Sequence, residues 1–164
     1  MKLSTELIRV NCNVIPQNLH NEFTANLLET ISKKYTNTFY ESRTFVTAVN
    51  KIVSIGDQMT DPISGYIKVN LTAEIMTALV EIGDMLPCVI ENIMSVGTIL
   101  KSNYGFVLLA NRLFPKDYKF GNHEGSMTLI IPGMNPLKIG DTIEVNIVAV
   151  FIGQQFPYMG QIIT

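Results

Sequence analysis

The 164-residue sequence predicts an α+β unit followed by an all-β barrel. Three observations carry this reading. One stretch near the N-terminus has apolar residues every three or four positions, the spacing of an amphipathic helix. Period-two alternation, the mark of a half-buried strand, dominates elsewhere. Finally, a long alternating stretch from Ser64 to Asp84 ends in Gly83-Asp84 and joins two unlike halves. Residues 1–82 are therefore expected to form an antiparallel β-α-β-β sheet with one helix, and residues 83–164 a barrel.

Leu3 to Ile15 alternates loosely, with Leu7 or Ile8, Val10, Cys12 and Val14 as its apolar set, and reads as a strand. Pro16 ends it and suits the first turn of a helix, where its missing N–H would be unpaired anyway. That helix runs to about Tyr35, its stripe formed by Leu19, Phe23, Leu27, Leu28, Ile31 and Tyr35. After the turn cluster Thr36-Asn37-Thr38, Arg43 to Ile55 reads as a strand carrying Phe45, Val49 and Val53. Gly56 to Gly65 is expected to be a loop, by its Gly, Pro and Asp content. In the long stretch after it, Ile67, Val69, Leu71, Ala73 and Ile75 alternate with polar residues, and the apolar phase then slips at Ile75-Met76. A bulge or a handover between sheets would produce that slip.

The second half is nearly all strand: Met85 to Met94, Gly97 to Lys101, Gly105 to Leu109, Thr142 to Ile152 and Phe156 to Ile163. Residues Tyr118 to Pro136 read as irregular, with Met127 to Ile131 able to add a short strand. Five strands with one short break and one long insertion fit a small Greek-key barrel of the oligonucleotide-binding type.

Hydrophobic residues make up 47% and charged residues 16%, well below the usual charged share, so part of the surface is expected to meet a partner. The net charge of -2 argues against bulk electrostatic binding to duplex DNA. No window approaches a membrane-spanning length, and no signal-peptide core opens the chain, so an intracellular protein is expected. Cys12 and Cys88 read as buried thiols, and with only His20 and His123 beside them no zinc-like spacing exists. No nucleophile elbow or phosphate loop is present: Gly121-Asn-His-Glu-Gly125 lacks the Lys-Ser/Thr ending. Catalysis is not expected, nor a cofactor, metal or small-molecule substrate.

Two binding surfaces are expected instead. Lys101, Arg112, Lys116 and Lys119 are interleaved with Tyr104, Phe106, Phe114, Tyr118 and Phe120, with one acid, Asp117, among them. Single-stranded RNA is held by cations along phosphates and aromatic faces under bases. Lys101, Tyr104 and Arg112 are the first candidates for RNA, with Lys116 and Lys119 behind them. Phe106 alternates with Leu108 toward the core on this reading, and Phe114 plugs the barrel end. The second surface is a docking loop, in which Gly56 and Gly65 allow the turns and Met59, Asp61, Pro62 and Ile63 form the tip.

The motifs in order resemble one family. Strand, Pro16 and helix are followed by Asp61-Pro62-Ile63-Ser64-Gly65 ahead of the long strand. Gly83-Asp84 leads into the first barrel strand, and Phe106-Val107-Leu108-Leu109 precedes Arg112-Leu113-Phe114-Pro115-Lys116-Asp117-Tyr118. Gly140-Asp141-Thr142-Ile143-Glu144-Val145 looks like a strand that re-enters the barrel, and Tyr158-Met159-Gly160 like a closing strand. Over nearly the whole chain this resembles the larger stalk subunit of multi-subunit DNA-directed RNA polymerases, the seventh subunit of eukaryotic polymerase II and its archaeal counterpart. The resemblance implies an N-terminal tip domain docked on the large core subunits near the clamp. It also implies an S1-like barrel near nascent RNA and a companion stalk subunit along the long sheet. The insertion 121–136 departs from the family. With 20 Ile and 14 Asn against 6 Ala, the composition suits an AT-rich genome such as that of a large DNA virus. Transcription would then take place in the nucleus, or in the cytoplasm or virion. The alternative is a free-standing S1-type RNA-binding factor of translation or RNA decay; a third reading is an assembly module whose barrel meets only protein.

Overall fold

The computed structural model describes residues 1–15, 23–41, 44–94, 96–114, 117–123, 126–151 and 154–162. Contacts divide the chain into Lys2–Leu79 and a second unit of Val80–Thr164 with Met1.

The first unit is built on β1 (Lys2–Val14), α1 (Phe23–Tyr35), β2 (Phe39–Tyr40), β3 (Thr44–Thr60) and β4 (Ile67–Leu79). Its four strands lie in the order β1-β4-β3-β2, all pairs antiparallel. The even residues Ile8, Val10, Cys12 and Val14 of β1 are buried, while Leu7 faces out. They lie directly opposite Ala73, Leu71, Val69 and Ile67 of β4, so one face of the pair is continuously apolar. Leu27 and Ile31, one helical turn apart, cover that face. The expected helix segment 16–22 and Arg43 lie outside the described residues. Beyond Tyr35, Asn37 takes the left-handed conformation (φ 62°) common after a helix C-terminus, and its N–H donates to the Val46 carbonyl at 2.8 Å.

β4 departs from the expected spine in two ways. It is shorter, Ile67–Leu79, and it does not bulge: thirteen consecutive residues pair with β1 in one register. The burial phase changes at Thr77-Ala78, two residues after the expected slip, because both side chains are fully buried. Thr77 is accommodated by its hydroxyl, which donates to a Glu6 carboxylate oxygen at 3.0 Å and lies 2.9 Å from the Ser4 hydroxyl.

The irregularity lies on the partner strand. The β3 register shifts against β4 four times, between Val46 and Ala48, Val49 and Lys51, Ile52 and Ser54, and Ile55 and Gln58. Each shift inserts one extra residue, so three residues of β3 cover two of β4 through most of the strand. Consequently Val46, Val49, Ile52 and Ile55, three apart, sit opposite Thr77, Ile75, Ala73 and Leu71, two apart. Of the expected set, Phe45 is buried and Val49 packs against the core, whereas Val53 is corrected: it is an extra residue at a bulge and is exposed.

The second unit is a closed five-stranded barrel. Its strands are β5 (Met85–Met94), β6 (Gly97–Ser102), β7 (Gly105–Ala110), β10 (Thr142–Val150) and β11 (Tyr158–Ile162). The order is β10-β11-β7-β6-β5, with β5 returning to β10. Only the β7–β11 pair is parallel. This order is consistent with an oligonucleotide-binding-type barrel. Leu86, Cys88, Leu100, Val107, Val145 and Ile147 are buried, each at 1% exposure or less. The stretch expected to be irregular contains a hairpin, β8 (Lys119–His123) with β9 (Ser126–Ile130), between the third and fourth barrel strands. Gly121 lies within it, opposite Thr128.

Candidate nucleic-acid and partner surfaces

The loop expected over Gly56 to Gly65 is shorter than that span. Gly56 to Thr60 belong to β3, and the turn proper is Asp61 to Tyr66. Gly56 therefore serves a bulge rather than a turn; a side chain on it would approach the Asn70 carbonyl oxygen to 3.3 Å. Within the turn, Asp61 is the organising residue. Its Oδ1 accepts the Ile63 N–H at 3.0 Å and the Ser64 N–H at 3.4 Å, an Asx-type closure. Its carbonyl accepts the Gly65 N–H at 2.9 Å, its own N–H donates to the Tyr66 carbonyl at 2.8 Å, and Lys68 Nζ lies 3.5 Å from its other oxygen. Gly65 completes the turn at φ +69°, where a side chain would be strained. The result is a tethered tip with Ile63 96% exposed and Met59, on the last residues of β3, 68% exposed.

The two amide donors, and after them Lys68, hold the Asp61 carboxyl below its usual value of 3.8. A depressed folded value means that its contribution to the turn is present above 3.8 and is lost as pH falls through the lowered value. The Ile63 and Ser64 amide proton shifts are accordingly expected to titrate together with a midpoint below 3.8 in an NMR pH series. A midpoint at or above that value would mean that the turn does not hold the carboxylate.

On the barrel, the expected RNA residues do not gather in one place. Lys101 lies on β6 opposite Phe106 of β7 and Val89 of β5, and its Nζ is 3.5 Å from Glu91 Oε1. Tyr104 is half-buried in the turn joining β6 and β7, where its N–H donates to Ser102 Oγ at 3.0 Å. Arg112 is exposed on a 3₁₀ turn, Asn111–Leu113, that follows the opposite end of β7. Phe106 and Ala110 alone are about 13 Å apart along the strand at ~3.3 Å per residue. Lys119 is exposed on β8, and Lys116 lies outside the described residues.

Phe106 corrects the inward assignment. Val107 and Leu109 fill the barrel, whereas Phe106 points outward, 39% exposed, and makes an edge-to-face contact with Phe156 at 6.4 Å. Phe114 is half-buried with Tyr118 and Phe120 at ring distances of 5.4 and 6.2 Å. Two cation–aromatic groupings result: Lys101 with Phe106 and Phe156, and Arg112 and Lys119 on the elements that carry the Phe114 cluster. The first is the better stacking platform, because an exposed ring lies directly across from a cation. Its signal in the sequence was ambiguous, since Phe106 to Ala110 is apolar throughout and fixes no phase.

If this surface holds single-stranded RNA, Phe106→Ala is expected to weaken binding of a short strand about tenfold, within the ~1–3 kcal/mol of one base–ring stack. Fluorescence anisotropy at fixed salt reads this; equal affinities for both proteins would remove Phe106 from any RNA site.

Charge limits such a site. Residues 80–164 contain five Lys and Arg against seven Asp and Glu. Among the described residues, no three His, Cys, Asp or Glu side chains group as metal ligands. No helix among them is long and apolar enough to cross a membrane. Neither a family model nor a curated protein matches the sequence.

Proposed function

We propose that this chain is a non-catalytic stalk subunit of a multi-subunit DNA-directed RNA polymerase, of the family that holds the seventh eukaryotic polymerase II subunit and its archaeal counterpart. The observation that carries the reading is the order of its parts. An antiparallel sheet with one helix precedes a five-stranded barrel closed by one parallel pair, β7 with β11. The sequence motifs that resemble the family fall along this frame in the family's order. On this reading, the Asp61–Tyr66 turn docks on the large core subunits, with Ile63 and Met59 entering an apolar notch. A companion stalk subunit packs along the long sheet. The S1-like barrel lies beside nascent RNA, with the Lys101–Phe106–Phe156 surface as its contact. A large DNA virus encoding its own polymerase is the source this reading favours.

The excess of acids over bases in residues 80–164 gives weight to a barrel that meets protein as well as RNA. A free-standing S1-type RNA-binding factor makes a different demand, namely strong and salt-dependent RNA affinity from the isolated protein. The deciding experiment is purification of the tagged protein from its native source at moderate salt, followed by mass spectrometry. Large polymerase subunits in near-equal amount support the stalk assignment. Their absence, with ribosomal or RNA-decay proteins recovered instead, overturns it in favour of the free factor.

A further inference from the structure

The two edges of the N-terminal sheet are treated very differently. At one edge β2 is two residues long, and β3 next to it is interrupted by four bulges. Short edge strands and bulges are devices that prevent a sheet from accepting another strand. The other edge is β1, thirteen residues long, paired among the described residues only to β4, in unbroken register and without proline. Every second residue of such an edge directs its N–H and C=O away from the sheet. On the face away from α1, the side chains flanking this edge include Leu3 and Leu7, 55% and 62% exposed. A long edge strand in unbroken register, with two exposed leucines at its N-terminal half, is the form of a strand-accepting surface.

We infer that residues 2–8 of β1 pair antiparallel with the same residues of a second copy of this chain, about a two-fold axis at Thr5. A two-fold axis perpendicular to the sheet keeps each face on its own side, so only residues of equal parity can lie opposite one another. Among those registers, the one centred on Thr5 sets Leu3 opposite Leu7 of the second copy, twice, and joins the two Thr5 side chains. On the other face it sets Ser4 opposite Glu6 and brings Lys2 diagonal to Glu6 of the second copy, an opposite-charge pair. Centring on Glu6 would set two carboxylates face to face, and centring on Ser4 or Leu7 would leave Leu3 opposite Thr5 or Asn11. The Thr5 register alone pairs both exposed leucines with leucine. This surface does not rest on the polymerase assignment.

Sedimentation equilibrium of the full chain tests the pairing. Mass is expected to rise from 18.3 kDa toward roughly twice that value with concentration. Leu7→Lys, at an exposed position, is expected to keep the native circular dichroism and raise the dissociation constant about tenfold or more. A register test is independent of affinity: Thr5→Cys is expected to cross-link to itself with a short bis-maleimide. Leu3→Cys and Leu7→Cys are expected to cross-link when mixed and not singly. The native Cys12 and Cys88 are buried and leave the assay clear. A monomer at every concentration overturns the inference. So does a dimer that Leu7→Lys leaves intact, or that Thr5→Cys fails to link.

Discussion

Gly160→Val is expected to prevent the barrel from closing, the largest effect of any single substitution considered. Gly160 lies on β11 opposite Ile147 of β10, on the strand that makes the parallel closure with β7. A Cβ built there overlaps Val145 Cγ1, comes within 2.9 Å of Val107 Cγ1 and lies 3.3 Å from Leu109 Cδ2. Val145, Val107 and Leu109 are all fully buried, so none can rotate into solvent to make room. Overpacking of this kind costs about 1–3 kcal/mol for small additions and more for a branched side chain. Against the ~5–15 kcal/mol that holds a typical domain together, Gly160→Ala should shift a urea midpoint clearly and Gly160→Val should remove most native signal. Gly140→Ala is the control. That position has φ +93° and open space around the missing Cβ, so only the backbone cost of about 1–2 kcal/mol applies. Equal losses for Gly160→Ala and Gly140→Ala would mean that the β11 contact is looser than described.

If the Asp61–Tyr66 turn docks on a polymerase core as proposed, Ile63→Asp is expected to abolish recovery of the large polymerase subunits while leaving thermal stability unchanged. Two facts pull the effects apart. Ile63 is 96% exposed, so folding gains almost nothing from it, and its backbone N–H is fixed by Asp61. A pre-ordered apolar anchor loses little entropy when it enters a pocket, which is why such residues can contribute ~2 kcal/mol or more, about thirtyfold in affinity. An aspartate there would have to be desolvated in the proposed notch. Tagged Ile63→Asp that still recovers the core in wild-type amounts would exclude the turn as the docking element. Loss of both core binding and melting temperature would instead mark the turn as structural.

The parts of the fold legible from sequence are those with undisturbed periodicity. β1 from Glu6 to Val14 and β4 from Ile67 to Ile75 alternate because each has one face under α1, and β5 alternates from Met85 to Ile90, ahead of its bulge, because each barrel strand has an inside and an outside. Legibility failed where another rule set the phase. In β3, a bulge at every third residue converts the buried set to a three-residue spacing that no strand template contains. The β8–β9 hairpin was hidden by Gly121 and Gly125, which read as loop punctuation although Gly121 lies within β8, opposite Thr128. Phe106 was misplaced because a wholly apolar run leaves its outward residue unmarked. Of the candidate sites, the Asp61–Gly65 tip was readable from its turn chemistry. The separation of Lys101 from Arg112 was not, because it depends on which end of β7 each one reaches.

The bulges of β3 also give this sheet one strand whose length is negotiable. Removing a residue from β1 would turn every side chain beyond the deletion to the wrong face, and the helix-covered layer would be lost. Removing Val53 from β3 merely dissolves one bulge, since Ile52 and Ser54 already lie opposite the adjacent residues Ala73 and Thr72. Four such slots make β3 the place where insertions and deletions can accumulate during descent while the buried layer keeps its pattern. Chain-length variation between relatives of this protein should therefore concentrate between Val46 and Gln58 and spare β1 and β4.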